Sequence, residues 1–110
     1  MVVSFFCLSL HSNQKEIMTK SKLIATENKG FHLTFNNGWT ISVQWGATNY
    51  CSNRMVDTNK NNSMLESASA EIAIWDENNE DFDFGGGQFV LGWLTPNEVA
   101  DWIEKVKNFK

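Results

Sequence analysis

A regular alternation of apolar and polar residues between Phe31 and Trp45 is the feature that most constrains the fold of this chain. On either side of an Asn-Asn-Gly sequence, the apolar positions are Phe31, Leu33, Phe35, Trp39, Ile41, Val43 and Trp45. Alternation with a period of two is typical of a strand with one buried face. A short glycine-containing segment between two such runs indicates a β-hairpin. We therefore predict a hairpin here, in the middle of one small α+β domain.

The length of the hairpin loop follows from the face that each side chain takes. A two-residue loop would pair Phe35 with Thr40 and place the apolar face of one strand beside the polar face of the other. A three-residue loop (residues 36–38) pairs Phe35 with Trp39 and puts all the apolar side chains on one face. We predict the three-residue loop, a type I turn followed by Gly38 in a left-handed conformation.

Two further strands and a helix are predicted after the hairpin. Ser69–Asp76 alternates and forms a third strand, whereas Gln88–Leu94 is apolar on both faces and is expected to be an interior strand. Thr95, Pro96 and Glu98 have the pattern of a capping box with proline at the first helical position. An apolar stripe then follows at helical spacing, formed by Val99, Trp102, Ile103, Val106 and Phe109. The predicted fold is α+β, a four-stranded antiparallel sheet in ββββα order with one C-terminal helix packed on it.

The length of 110 residues and the 13% aromatic content are sufficient for one domain with a compact core. We assign this domain to residues 18–110. Residues 1–17 are expected to be an unstructured leader or an over-extended start, with translation beginning at Met18. A buried strand and a secretion signal are the alternatives, although the apolar run Met1–Leu10 is too short to span a bilayer and lacks the basic start of a signal peptide.

Charge and cysteine content exclude several classes of protein. The net charge is −4 and arginine occurs once, at Arg54, so no basic face for general nucleic-acid binding is expected. No membrane-spanning segment is predicted. Cys7 and Cys51 do not form a disulfide framework, and we expect reduced thiols in a cytosolic compartment.

The sequence contains no evident catalytic or metal-binding set, so we predict a non-enzymatic protein without a cofactor. The two histidines and two cysteines lack the spacing of a zinc site. The acidic turn after Asp76 resembles a calcium loop, but Asp81 and Gly87 stand where its glycine and glutamate are required. The three glycines at 85–87 lack the Lys-Ser/Thr of a phosphate-binding loop.

The segment that leaves the predicted hairpin carries the residues best suited to ligand recognition. We predict that Trp45, Asn49, Tyr50, Arg54 and Trp75 form a ligand-binding site, and no catalytic or metal-binding residue is assigned. Aromatic faces beside a guanidinium can hold a planar or phosphorylated molecule. The structural alternative is that Tyr50 packs over a sheet edge while Arg54 pairs with a carboxylate of the acidic turn.

Four segments resemble small uncharacterised proteins encoded by tailed bacteriophages. They are GWTISVQWG (38–46), NYC (49–51) with Arg54, AEIAIWD (70–76), and Gly92-Trp93 followed by a Pro-Asn-Glu-Val helix start. The resemblance covers residues 31–109 and implies a viral origin and a location in the host cytoplasm, but it transfers no site. We therefore expect an accessory protein that binds a host or anti-phage defence component. The alternative is a small-ligand protein, such as a sponge for a nucleotide signal, whose site could lie between subunits of a homo-oligomer.

Overall fold

The computed structural model describes residues 21–27, 29–55 and 65–110. Its elements are β1 (Lys22–Thr26), β2 (Gly30–Thr34), β3 (Thr40–Gln44), β4 (Ala70–Trp75), β5 (Leu91–Leu94) and α1 (Pro96–Lys107). The strands are antiparallel and follow the order β1-β2-β3-β4-β5 across the sheet. The predicted α+β class with an antiparallel sheet and one C-terminal helix is confirmed, but the sheet has five strands and not four. The predicted leader at residues 1–17 lies outside the described residues.

The hairpin formed by β2 and β3 has the predicted three-residue loop. The apolar side chains of both strands share a face, because the register sets Phe31 opposite Val43 and Leu33 opposite Ile41. The Phe35 N–H donates to the carbonyl oxygen of Trp39 at 2.9 Å. Gly38 takes a φ of +90°, in the left-handed region that the loop requires.

The strand that the sequence did not predict is β1. It lies at the edge of the sheet and pairs only with β2. Its residues are exposed from Lys22 to Ala25, and Leu23 is 80% exposed. Since a period-two pattern arises only where one strand face is buried, this segment carries no alternation that could reveal it.

The prediction that the last strand is interior is wrong. The strand β5 is confined to Leu91–Leu94 and lies at the other edge of the sheet. The loop after β3 packs closely against Gly92 of this strand, whereas Trp93 stays exposed. A Cβ atom on Gly92 would lie 2.4 Å from the Cβ of Tyr50, and the Trp93 N–H donates to the Tyr50 carbonyl oxygen at 2.8 Å.

The core lies between one face of the sheet and α1. Its buried members are Ile41, Val43, Ala70, Ile72, Ile74, Leu94, Val99 and Val106. The predicted capping box is present, since the Thr95 hydroxyl accepts from the Glu98 N–H at 3.2 Å and the Glu98 carboxylate accepts from the Thr95 N–H at 2.9 Å. The start of α1 is therefore fixed by its local sequence.

The end of α1 is held by a residue from the hairpin loop. The Asn37 side-chain nitrogen, Nδ2, lies within donor distance of three carbonyl oxygens, those of Val106 at 2.9 Å, Phe109 at 3.0 Å and Lys107 at 3.2 Å. Its Oδ1 accepts from the Trp39 N–H at 3.0 Å. The Val106 carbonyl also accepts from the Phe109 N–H at 3.1 Å, so the Asn37 amide adds a donor at this helix end and links the hairpin loop to it.

An aromatic cluster fills the core beside the end of α1. Its five members are Trp39, Phe82, Phe84, Trp102 and Phe109. Phe82 is central, with ring centroids 5.1 Å from Phe84 and 5.5 Å from Phe109. The turn between β4 and β5 thus alternates exposed aspartates with phenylalanines that contribute to the core.

Candidate functional site

The five predicted ligand-binding residues lie in three different places. Asn49, Tyr50 and Arg54 are together in the loop that follows β3. Trp45 lies on the helix-covered face of the sheet, where its ring meets Phe31 edge-on at 6.0 Å. Trp75 lies on the opposite face, since it pairs with Thr40 in the register of β3 and β4. The structure therefore brings together the three loop residues and neither tryptophan.

Asn49 holds the loop in place from a buried position. Its Oδ1 accepts from the Gly46 N–H at 3.0 Å, and its Nδ2 donates to Oε1 of Glu71 at 3.0 Å. The other oxygen of the Glu71 carboxylate accepts from the Tyr50 N–H at 3.2 Å. Both ends of the Asn49 amide have hydrogen-bond partners within the protein, and through Glu71 this amide is linked to the backbone of Tyr50.

Three further residues anchor the loop to the sheet and to the segment before β4. The thiol of Cys51 is free and fully buried, and it donates to the Gly46 carbonyl oxygen at 3.6 Å. The Ser52 N–H donates to the Ser69 hydroxyl at 2.9 Å. Asn53 donates through Nδ2 to the Glu66 carbonyl oxygen at 2.6 Å. With these contacts the loop presents a preformed surface.

Tyr50, which is exposed, and Arg54, which is partly exposed, pack against each other at the surface of the loop. Tyr50 is 45% exposed, and the guanidinium carbon of Arg54 lies 4.5 Å from the centre of its ring. Arg54 also donates through Nη1 to the Thr48 carbonyl oxygen at 3.1 Å. The alternative predicted from the sequence gives these two residues structural roles. One part of that alternative, the packing of Tyr50 over a sheet edge, is observed. The Arg54 guanidinium contacts Tyr50 and Thr48, whereas the alternative placed it on the acidic turn.

Trp93 extends this surface and was not among the predicted site residues. It is 57% exposed and has a φ of +59°, a left-handed conformation that bulky side chains rarely adopt. It lies in an irregularity of the pairing between β4 and β5, where two residues of β5 oppose one of β4. A glycine within a predicted strand, here Gly92, is a signal of such a bulge and could have directed attention to its neighbour. Together with Met55, which is 92% exposed, Tyr50, Arg54 and Trp93 are named here the Tyr50 surface.

A polar cavity of about 320 Å³ lies on the face of the sheet that α1 does not cover. His32 and Trp75 meet edge-on in its wall at 5.1 Å, and the hydroxyls of Thr34 and Thr40 are 2.8 Å apart. Burial lowers the pKa of His32 below its usual value, because desolvation disfavours the imidazolium form.

The acidic turn directs its carboxylates to its own backbone. Oδ1 of Asp76 accepts from the N–H groups of Asn78 and Glu80, both at 2.9 Å. Oδ1 of Asp83 accepts from the N–H groups of Gly85 at 2.8 Å and Gly87 at 3.1 Å.

Across residues 21–27, 29–55 and 65–110, no group of three metal-ligating side chains is placed to hold a metal ion. No helix within these ranges is long and apolar enough to cross a membrane.

Comparisons of the chain with protein-family models, with curated proteins and with solved structures find no match.

Proposed function

We propose that this chain is a non-enzymatic accessory protein of a bacteriophage that binds a host or anti-phage defence protein through the Tyr50 surface. The observation that supports the proposal most directly is the exposure of Tyr50 and Trp93 at the β5 edge of the sheet, with the Arg54 guanidinium over the Tyr50 ring. The resemblance of four segments to phage proteins motivates the choice of a host or defence component as the partner.

The composition of the Tyr50 surface is typical of protein-binding sites. Tyrosine, tryptophan and arginine are the residues most enriched among those that dominate the binding energy of protein interfaces. Methionine is also enriched in such interfaces and adapts to an opposing surface. Large exposed aromatic side chains do not contribute to the core of the protein. Burial of these side chains against a partner would explain their presence on the surface.

The rigidity of the surface adds to its suitability for binding. The loop is held by Asn49, Cys51 and Asn53, and Arg54 is oriented by Tyr50 and Thr48. Less conformational entropy is lost when preformed side chains bind a partner. The positive φ of Trp93 also supports a binding role for this surface, because strained backbone conformations are concentrated at functional sites.

The charge of Arg54 indicates the chemistry of the partner surface. It is the single arginine of a chain with a net charge of −4, and its guanidinium lies over the exposed ring of Tyr50. The complementary surface would be an apolar groove with a carboxylate at its edge, which a guanidinium recognises with two parallel hydrogen bonds.

The nucleotide-sponge alternative is less well supported by the geometry. It required Trp45, Tyr50, Arg54 and Trp75 to line one site, and the two tryptophans lie on opposite faces of the sheet. A nucleotide could still stack on Tyr50 beside Arg54. Titration with nucleotides, followed by tryptophan fluorescence, tests this directly.

Comparative affinity capture tests the proposal. The full chain, the double variant Tyr50→Ser/Arg54→Ala and the control Leu23→Ser are immobilised and exposed to lysate of infected host cells. Leu23 is a matched control because it is an exposed apolar residue at the opposite edge of the sheet. A candidate partner is then purified, and its binding to each variant is measured by calorimetry.

We expect the double variant to bind the partner at least a hundredfold more weakly and Leu23→Ser to bind within twofold of the unaltered chain. Retention of the same partner by the double variant would contradict the proposal. Failure to recover any protein that distinguishes the variants would also contradict it.

A further inference from the structure

A cleft of about 400 Å³ opens between the sheet and the first half of α1, on the face of the sheet opposite the polar cavity. The sheet contributes Phe31, Val43 and Trp45 to it, and α1 contributes Val99, Ala100 and Ile103. The segment 65–70 forms a third wall. This volume lies in the range of small-molecule pockets, about 300–1,000 Å³.

The sizes of the side chains explain why a space remains here. At the end of α1, the aromatic cluster fills the gap between helix and sheet. At the beginning of α1 the lining includes two alanines, the buried Ala70 at the start of β4 and the exposed Ala100 on the helix. These short side chains fill less of the space between helix and sheet than the rings at the other end of α1 do.

The polar groups in the wall already have partners within the protein. Nε1 of Trp45 donates to the Leu65 carbonyl oxygen at 2.7 Å. The Ser67 hydroxyl donates to the Ser69 carbonyl oxygen at 2.7 Å, and the Ser69 hydroxyl lies 2.8 Å from that of Ser52. A ligand with many polar groups would lose its bonds to water here without replacing them. The wall therefore favours an apolar ligand.

The charge at the rim of the cleft further restricts the ligand. Glu66 belongs to the lining and is exposed. A carboxylate at the entrance repels an anion, so a fatty acid anion is a poor candidate, whereas an uncharged molecule is unaffected. An apolar cavity of about 150 Å³ already accepts benzene, so this cleft has room for at least a fused two-ring molecule.

We propose that this helix–sheet cleft binds a small, uncharged and mainly apolar molecule, aromatic or short-chain aliphatic in type. The site is separate from the Tyr50 surface, because the two share no residue. The ring of Trp45, one wall of the cleft, provides an aromatic face for the ligand. Among the five predicted ligand-binding residues, Trp45 thus receives a role independent of the others.

Titration of the full chain with N-phenyl-1-naphthylamine, an uncharged fluorescent probe, tests the proposal. The variant Ala100→Leu fills the cleft from the helix side. The control Glu104→Leu introduces the same side chain one helical turn further, at an exposed position outside the lining. We expect saturable binding by the unaltered chain and by Glu104→Leu, and at least a tenfold loss of affinity in Ala100→Leu.

Competition and methyl NMR give two independent readouts. We expect 1-octanol to displace the probe at a concentration at least tenfold lower than octanoate, and Glu66→Gln to reduce this difference. Naphthalene should shift the methyl signals of Val43, Val99 and Ile103 and leave those of Ile24, on the other face, unchanged. These shifts do not depend on the folding of any variant.

Three results would overturn the proposal. One is the absence of saturable probe binding by the unaltered chain. Another is equal affinity in Ala100→Leu and Glu104→Leu. The third is a set of methyl shifts that change with the concentration of the protein and not with the concentration of naphthalene. Such shifts would mean that a second copy of the chain occupies the cleft.

Discussion

Single side chains carry much of the specificity of this fold, and Asn37 shows this most clearly. One amide in the hairpin loop partners carbonyl oxygens at the end of α1, about seventy residues later in the sequence. The side chain of an asparagine in a loop ordinarily forms hydrogen bonds with the backbone of its own turn. Here the same side chain also joins the hairpin of β2 and β3 to α1.

Replacement of Asn37 by alanine should lower the free energy of unfolding by about 1–3 kcal/mol, since carbonyl groups lose their donor. Asn37→Asp should cost more, because a carboxylate would face carbonyl oxygens at the negative end of the helix dipole. Urea denaturation measures both changes. Asn36→Ala is the matched control in the exposed part of the same loop, and a loss as large as that of Asn37→Ala would contradict the assigned role.

Trp93 allows stability and binding to be separated. Asparagine tolerates a positive φ better than tryptophan, so Trp93→Asn should unfold at the same or a higher denaturant concentration, with a gain of up to about 1 kcal/mol. Binding of the partner should nevertheless fall at least tenfold. Urea denaturation measures the stability, and calorimetry measures the binding. Unchanged binding would remove Trp93 from the Tyr50 surface.

The lowered pKa of His32 predicts a dependence of stability on pH. Because the unfolded chain binds a proton on this imidazole more readily than the folded protein, stability is complete above the unfolded value of about 6.5 and decreases as the pH falls below it. Unfolding in urea at pH 7.5 and 5.5 measures the difference. His32→Gln should reduce it, and an equal pH dependence in this variant would contradict the prediction.

At the scale of elements, the turn between β4 and β5 behaves as part of the core. It joins the sheet through the Phe82 N–H, which donates to the Ile74 carbonyl oxygen at 2.8 Å. Its glycines turn the chain around Asp83, and Gly86 and Gly87 take φ values of +62° and +81°. Four carboxylates of the turn are exposed, those of Glu77, Glu80, Asp81 and Asp83, whereas Asp76 is partly buried. The packing of its phenylalanines against α1 did not follow from the pattern.

Phe82→Ala should lower the free energy of unfolding by about 3–5 kcal/mol, since it removes the central ring of the aromatic cluster. Phe89→Ala is the matched control, because Phe89 is exposed in the same connection, and it should change stability by less than about 1 kcal/mol. Guanidinium denaturation followed by circular dichroism distinguishes them. Similar losses in both variants would show that the cluster does not stabilise α1.

At the scale of the whole molecule, protection decreases from the centre of the sheet to its β1 edge. The central strands β3 and β4 are paired on both sides and covered by α1, whereas β1 has one neighbour and an exposed surface. Local opening is easiest where few apolar contacts must be broken.

Amide hydrogen exchange should therefore be slowest at Ile41, Val43 and Ile72 and faster by at least a hundredfold at Leu23 and Ala25. Exchange measured by NMR at neutral pH gives the rates for individual amides. Equal protection in β1 and β3 would mean that the β1 edge is covered in solution.

The sequence by itself determined the elements whose signals are local. The three-residue hairpin loop followed from the requirement that the alternating apolar side chains before and after Asn36-Asn37-Gly38 share one face. The start of α1 followed from Thr95, Pro96 and Glu98. Both depend on backbone geometry within a few residues, so neighbouring residues are sufficient to specify them.

Only the tertiary structure decided which strands lie at the edges and which site residues meet. The exposed β1 has no periodic pattern, and the apolar composition of β5 does not distinguish an edge strand from an interior one. Asn49, Tyr50 and Arg54 are brought together by one loop, whereas Trp45 and Trp75 are separated by the sheet itself. Such relations depend on which distant segments pack together, and no spacing along the chain records them.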